Sequence, residues 1–121
     1  MLFKNKSAIK WTWPWLGIIL CLLPTGCEDK STEYYNRGCN YIDKEQYDLA
    51  ISEFNSAIKI NPKLFRAFFG RGNAYYKKGN YEKAIRDFTK AVEINPKYLY
   101  AYIYRGLVYN DKGEYDLAIS D

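Results

Sequence analysis

The sequence predicts an all-α protein, an α-solenoid of antiparallel helix pairs, and three observations carry that prediction. The chain repeats itself at a period of 34 residues, a period characteristic of stacked supersecondary units. Within each unit the apolar residues recur at helical rather than strand spacing. Most predicted helices are closed by a residue suited to ending one, glycine at some joints and proline at others.

The repeat keeps its register throughout. Arg37-Gly38 returns as Arg71-Gly72 and Arg105-Gly106, and Tyr41 as Tyr75 and Tyr109. Tyr47 returns as Tyr81 and Tyr115, and Ala50-Ile51 as Ala84-Ile85 and Ala118-Ile119. Phe54 pairs with Phe88, Ala57 with Ala91, and Ile60-Asn61-Pro62-Lys63 with Ile94-Asn95-Pro96-Lys97. Residues 31–64 and 65–98 are identical at 13 of 34 positions, and residues 99–121 match 65–87 at 10 of 23.

In the first unit, 31–64, Tyr34, Tyr41 and Ile42 mark one amphipathic helix. Tyr47, Ala50, Ile51, Phe54, Ala57 and Ile58 mark a second. The second unit, 65–98, follows the same plan; the third, 99–121, stops early and is expected to be a truncated product or a fragment. Gly79 and Gly113 suit the left-handed turn between the two helices, where the first unit has Glu45. Pro62 and Pro96 mark the turns between units. Gly38, Gly72 and Gly106 fall inside helices, where glycine costs about 1 kcal/mol relative to alanine. Close helix contact is expected there, with Ala50, Ala84 and Ala118 as the facing partners.

These signature positions resemble the tetratricopeptide repeat, and the resemblance covers everything after about Ser31. It implies a right-handed solenoid with a concave groove lined by the first helix of each unit, a protein-protein interaction module that binds a partner protein or peptide. Carried onto this chain, the groove positions are Tyr35, Cys39, Arg66, Phe69, Asn73, Tyr76, Lys77, Tyr100, Ile103 and Leu107. Phe69 and Tyr76 are the expected central anchors, with Arg66 and Lys77 nearer the rim. Chaperone-binding relatives grip a peptide carboxylate with Lys and Asn in the groove; Tyr35 and Cys39 stand at the corresponding positions of the first unit, which argues against that clamp.

Ahead of the repeats, residues 1–10 carry three lysines and no acid, and residues 11–23 are almost wholly apolar. This is the order of a secretory signal peptide. An apolar stretch of 13 residues falls short of the roughly 20 that a transmembrane helix needs. The end of the leader, Thr25-Gly26-Cys27, resembles the lipobox of bacterial lipoproteins, although the usual leucine stands one place early, at Leu23. The resemblance implies removal of residues 1–26, lipidation of Cys27, a polar tether over 27–32, and membrane anchoring on the extracytoplasmic side of the cell envelope. A plain cleaved signal and an uncleaved anchor are the alternatives.

Composition narrows the function further. There is no histidine, hence neither the commonest general base near neutral pH nor the commonest zinc ligand. Cys21, Cys27 and Cys39 show no metal-binding spacing, and no glycine-rich phosphate loop occurs. No cofactor, metal or enzymatic activity is expected. The net charge of +4 owes three lysines to the leader, so the body lacks the basic footprint of a nucleic-acid binder. The exception is local: residues 65–98 hold eight basic and three acidic residues, read as solvated helix faces, with steering of an acidic partner as the alternative. Asp48 with Glu53, and Glu82 with Asp87, are read as solvated surface charge. A competing assignment for the whole chain is a non-catalytic repeat segment of a longer enzyme or assembly factor.

Overall fold

A computed structural model describes residues 29–113. The expected leader, Cys27 with its expected lipidation, and the end of the third unit lie outside the described residues. Among those described there are five helices: α1 (Lys30–Asp43), α2 (Tyr47–Ile60), α3 (Phe65–Lys77), α4 (Tyr81–Ile94) and α5 (Leu99–Asp111). None of them is long and apolar enough to cross a membrane. Together they form the all-α solenoid of antiparallel pairs: α1 packs on α2 and α3 on α4, and each pair on the next.

Helix α1 starts earlier than the expected tether allows. Asp29 caps it, its carboxylate accepting from the Ser31 backbone N–H at 3.5 Å and from the Ser31 hydroxyl at 2.6 Å, so Lys30, Ser31 and Thr32 are helical. The turn closing α1 has the two bonds of a Schellman motif: Glu45 N–H donates to the Ile42 carbonyl and Gln46 N–H to that of Tyr41, both at 2.9 Å. The turn after α3 repeats it, with Gly79 donating to Tyr76 and Asn80 to Tyr75. Its pivot residue takes positive φ each time: +79° at Gly79, +82° at Gly113 and +58° at Glu45. The first unit therefore makes the same turn with a residue poorly suited to it. Between units, Asn61 and Asn95 turn the chain ahead of proline, each side-chain oxygen accepting from the backbone of Lys63 or Lys97 at 3.1 and 3.2 Å.

The core runs along the stack as three successive clusters. Ala50, Phe54, Ala57, Ala67 and Ala74 form the first, Phe68, Ala91, Val92 and Ala101 the second, and Ala84, Phe88 and Val108 the third. Gly38 and Gly72 do mark close helix contact, but the nearest atoms belong to aromatic rings rather than to the expected Ala50 and Ala84, while Ala118 lies outside the described residues. A Cβ on Gly38 would lie 2.6 Å from the Phe54 ring, and one on Gly72 2.9 Å from the Phe88 ring. A Cβ on Gly70 of α3 would likewise lie 2.6 Å from Phe54, so the fully buried Phe54 ring packs against two glycines on different helices.

The recurrent arginines tie each pair together. Arg71 grips Asp87 with two bonds, at 2.8 and 2.7 Å, and reaches Asn55 of the preceding unit at 2.8 Å. Arg37 bonds Glu53 at the same offset. Asp87 is only 5% exposed, which corrects its reading as solvated charge: a buried carboxylate needs its cation. Lys78 with Asp48 and Lys112 with Glu82 form equivalent ion pairs between consecutive units.

Candidate functional site

The first helices of the units approach one another, α1 on α3 and α3 on α5, whereas among the described residues the backbones of α2 and α4 stay more than 8 Å apart, Cα to Cα. Helices that stay close lie on the short side of a curved stack. The face of α1, α3 and α5 directed away from their second helices is therefore the concave one. An α-helix advances 100° per residue, so Arg66, Phe69, Asn73, Tyr76 and Lys77 form one stripe of α3. Phe68, Arg71 and Tyr75 fall on the side turned away from it.

At the α1 end, Tyr35 and Cys39 are half-buried neighbours one turn apart. The Tyr35 phenol is pushed up to about 12, first by burial and then by its hydrogen bond with Cys39. Burial also raises the Cys39 thiol, against the opposing effect of Tyr35. A thiol held protonated is a packing group rather than a ready nucleophile. Burial also raises the Tyr98 phenol, and Arg66 lies close enough for its charge to oppose the rise in both Tyr35 and Tyr98, so residues of α1, of α3 and of the turn ahead of α5 converge.

At the centre, Phe69 meets Tyr98 at 5.2 Å and Tyr104 at 5.1 Å, both edge-on, and Phe88 at 5.5 Å. It is half-buried, and much of its surface holds units two and three together. One turn on, the Asn73 side-chain oxygen is buried without a hydrogen-bond donor. Such an atom carries a desolvation cost of about 1–3 kcal/mol until a donor reaches it. Tyr76 donates to Asp111 of α5 at 2.5 Å, and its phenol is pushed up to about 12, chiefly by that bond. Beyond it Tyr100, Ile103 and Leu107 are 61, 56 and 44% exposed. Arg66 and Lys77 are exposed.

Thus α3 supplies a polar and aromatic centre, α1 a half-buried Tyr–Cys pair and α5 an open apolar end. Tyr98 and Tyr104 escaped the sequence reading because they join the cluster across the turn into the third unit, at no helical spacing from Phe69. The Arg71–Asp87 pair had a usable signal in the sequence: Arg37 and Glu53 repeat it with the same offset of 16 residues. Among the described residues no group of three acidic or cysteine side chains is placed to hold a metal ion.

Two family comparisons match the repeats. The family described as "Tetratricopeptide repeat" matches residues 65–98 and that described as "TPR repeat" matches residues 38–79. No curated protein sequence matches the chain. Among solved structures, MamA is similar at 28% identity and a TM-score of 0.73, over 80% of this chain and 57% of its own. The TPR2B domain of yeast Sti1, in its complex with pHsp70, is similar at 28% identity and a TM-score of 0.74, over 75% of this chain and 73% of its own. The second TPR of Spaghetti (RPAP3), bound to the HSP90 peptide SRMEEVD, shares the fold at 24% identity and a TM-score of 0.74, over 76% of this chain and 85% of its own. This chain thus spans little more than half the length of MamA.

Proposed function

We propose, from the tetratricopeptide repeats matched within residues 38–98, that this chain docks an extended peptide segment of a partner protein along the groove of α1, α3 and α5. The observation that carries this reading is the exposed apolar surface that α5 adds to this face, where Tyr100, Ile103 and Leu107 are open to a ligand. Asn73, at the middle of the same face, is part-exposed although its side-chain oxygen is enclosed without a donor, so a turn of the side chain would let its amide meet a ligand's backbone. The open apolar end at Tyr100, Ile103 and Leu107 suits an apolar side chain of the same ligand. Similar domains bound to an HSP90 peptide and to pHsp70 support peptide docking as the mode. Tyr35 and Cys39, where a carboxylate-gripping groove needs Lys and Asn, favour a neutral and apolar segment here.

The site of this activity is, in our reading, the extracytoplasmic face of a bacterial envelope membrane. The basic and then apolar leader and Thr25-Gly26-Cys27 support export with a lipid anchor on Cys27. At about 0.8 kcal/mol per buried methylene, a cysteine bearing more than one acyl chain is a stable anchor. Intact mass of the native product decides this part: loss of residues 1–26 with added acyl mass supports it, and an unmodified Cys27 or a retained leader refutes it.

The groove is tested by selecting ligands from a random peptide library on the immobilised whole chain. Asn73→Ala and Ile103→Asp should each weaken the selected ligands about tenfold, roughly 1.4 kcal/mol, with helicity unchanged by circular dichroism. Ligands indifferent to both substitutions would place docking elsewhere. Phe69→Ala is the poorer probe, because that ring also joins Phe88, Tyr98 and Tyr104.

A further inference from the structure

We propose that the flank between α3 and α4, on the side of α3 turned away from the groove, is a second docking site that takes an acidic, extended segment of a partner protein. A cavity of about 380 Å³ opens there, lined by Phe68, Arg71, Tyr75, Lys83, Arg86, Asp87 and Lys90. Four cations line it against one carboxylate, and that carboxylate is engaged: Asp87 is gripped by Arg71. The aromatic residues form a floor beneath the charges. The Lys83 ammonium lies 5.3 Å from the Tyr75 ring centre and the Arg71 guanidinium 5.5 Å from that of Phe68.

Lys83, Arg86 and Lys90 follow one another along a single face of α4. Seven residues of helix cover about 10 Å, the length of about three extended residues, so two or three carboxylates on an extended strand meet this row. Its competing anions are weakly placed. Lys90 pairs with Glu93 at 3.6 Å with both side chains more than half exposed, a contact of little worth. Glu82 is held by Lys112, and the nearby charge of Arg86 helps to lower its carboxyl. The row is too short to track a nucleic-acid backbone, which draws affinity from many phosphates, and the remainder of the repeats is not basic. The eight basic residues of the second unit therefore include a built concavity, distinct from the groove in both place and charge.

The test uses the whole chain and a fluorescent peptide carrying Glu-Ala-Glu-Ala-Glu, with the Gln-Ala-Gln-Ala-Gln peptide as control, followed by anisotropy. The Glu peptide should bind, weaken steeply with added salt and lose at least tenfold in affinity in the Lys83→Gln/Arg86→Gln/Lys90→Gln protein. Arg86→Glu alone should produce most of that loss, which covers the case of a misfolded triple variant. Asn73→Ala should leave this binding unchanged, so the two sites stand or fall separately. The proposal is overturned if the Gln peptide binds equally well, if the flank variants bind like the parent, or if Asn73→Ala abolishes binding while the flank variants do not.

Discussion

Gly38 shows how a single missing side chain sets the spacing of two helices. An alanine there gains about 1 kcal/mol of helix propensity, yet its Cβ would sit 2.6 Å from the Phe54 ring, where carbon contacts need about 3.5–4.0 Å. The ring is fully buried and the backbone of Gly70 on α3 packs against it as well, so it has little room to shift. Overpacking of about 1–3 kcal/mol, at its upper end around a fully buried ring, outweighs the propensity gain. Gly38→Ala should therefore lower unfolding stability by about 2 kcal/mol in urea titration, and adding Phe54→Leu should restore part of the loss. The sequence announces the glycine by its recurrence. It conceals the partner, since several apolar residues of α2 share one stripe and only the packed distance selects Phe54 over Ala50.

At the scale of the helix and its turn, the same Schellman geometry recurs with different residues at its pivot. Glu45 holds φ at +58°, a region that costs a residue bearing a Cβ about 1–2 kcal/mol. Its equivalent Gly79 stands at +79°, and a Cβ added there would meet nothing within 4 Å, so the cost of a side chain at Gly79 lies in the backbone conformation and not in a clash. Glu45→Gly should raise stability by about 1 kcal/mol, and Gly79→Glu should lower it by a similar amount, both read from thermal unfolding. An unchanged melting temperature for Glu45→Gly would mean that its turn is not strained. The turns themselves are legible in the sequence because glycine and proline act through the backbone alone. The Arg71–Asp87 grip is less so, because two charges on different helices reveal their pairing only once the helices dock.

Across the whole molecule, consecutive units are joined by polar bridges as well as by apolar stacking. Tyr76 of the second unit bonds Asp111 of the third, and its phenol rises from 10.0 to about 12; Tyr35 rises to the same level through burial and Cys39. The folded state retains these protons at pH values where the unfolded chain releases them. Their stabilisation is complete below pH 10, and it is lost as pH climbs from 10 towards 12. Melting temperature should fall across that window, and Tyr76→Phe should lessen the fall without removing it, since Tyr35 still titrates. Ultraviolet titration should show a corresponding set of late-ionising tyrosines, fewer by one in the variant.

Period, helix count and the stacking of antiparallel pairs follow from a one-dimensional pattern, because each unit packs mainly on its neighbours and the pattern states which faces must be covered. The stripe of groove residues on α3 is legible for the same reason. What the packed chain alone reveals lies between elements: the packing of the Phe54 ring against two glycines, the aromatic hub that makes Phe69 part of the scaffold, and the orphaned oxygen of Asn73. The cavity where cations of α4 stand over aromatics of α3 belongs with these. Each depends on distances between residues remote in sequence, and a periodic pattern specifies which faces meet but not which atoms.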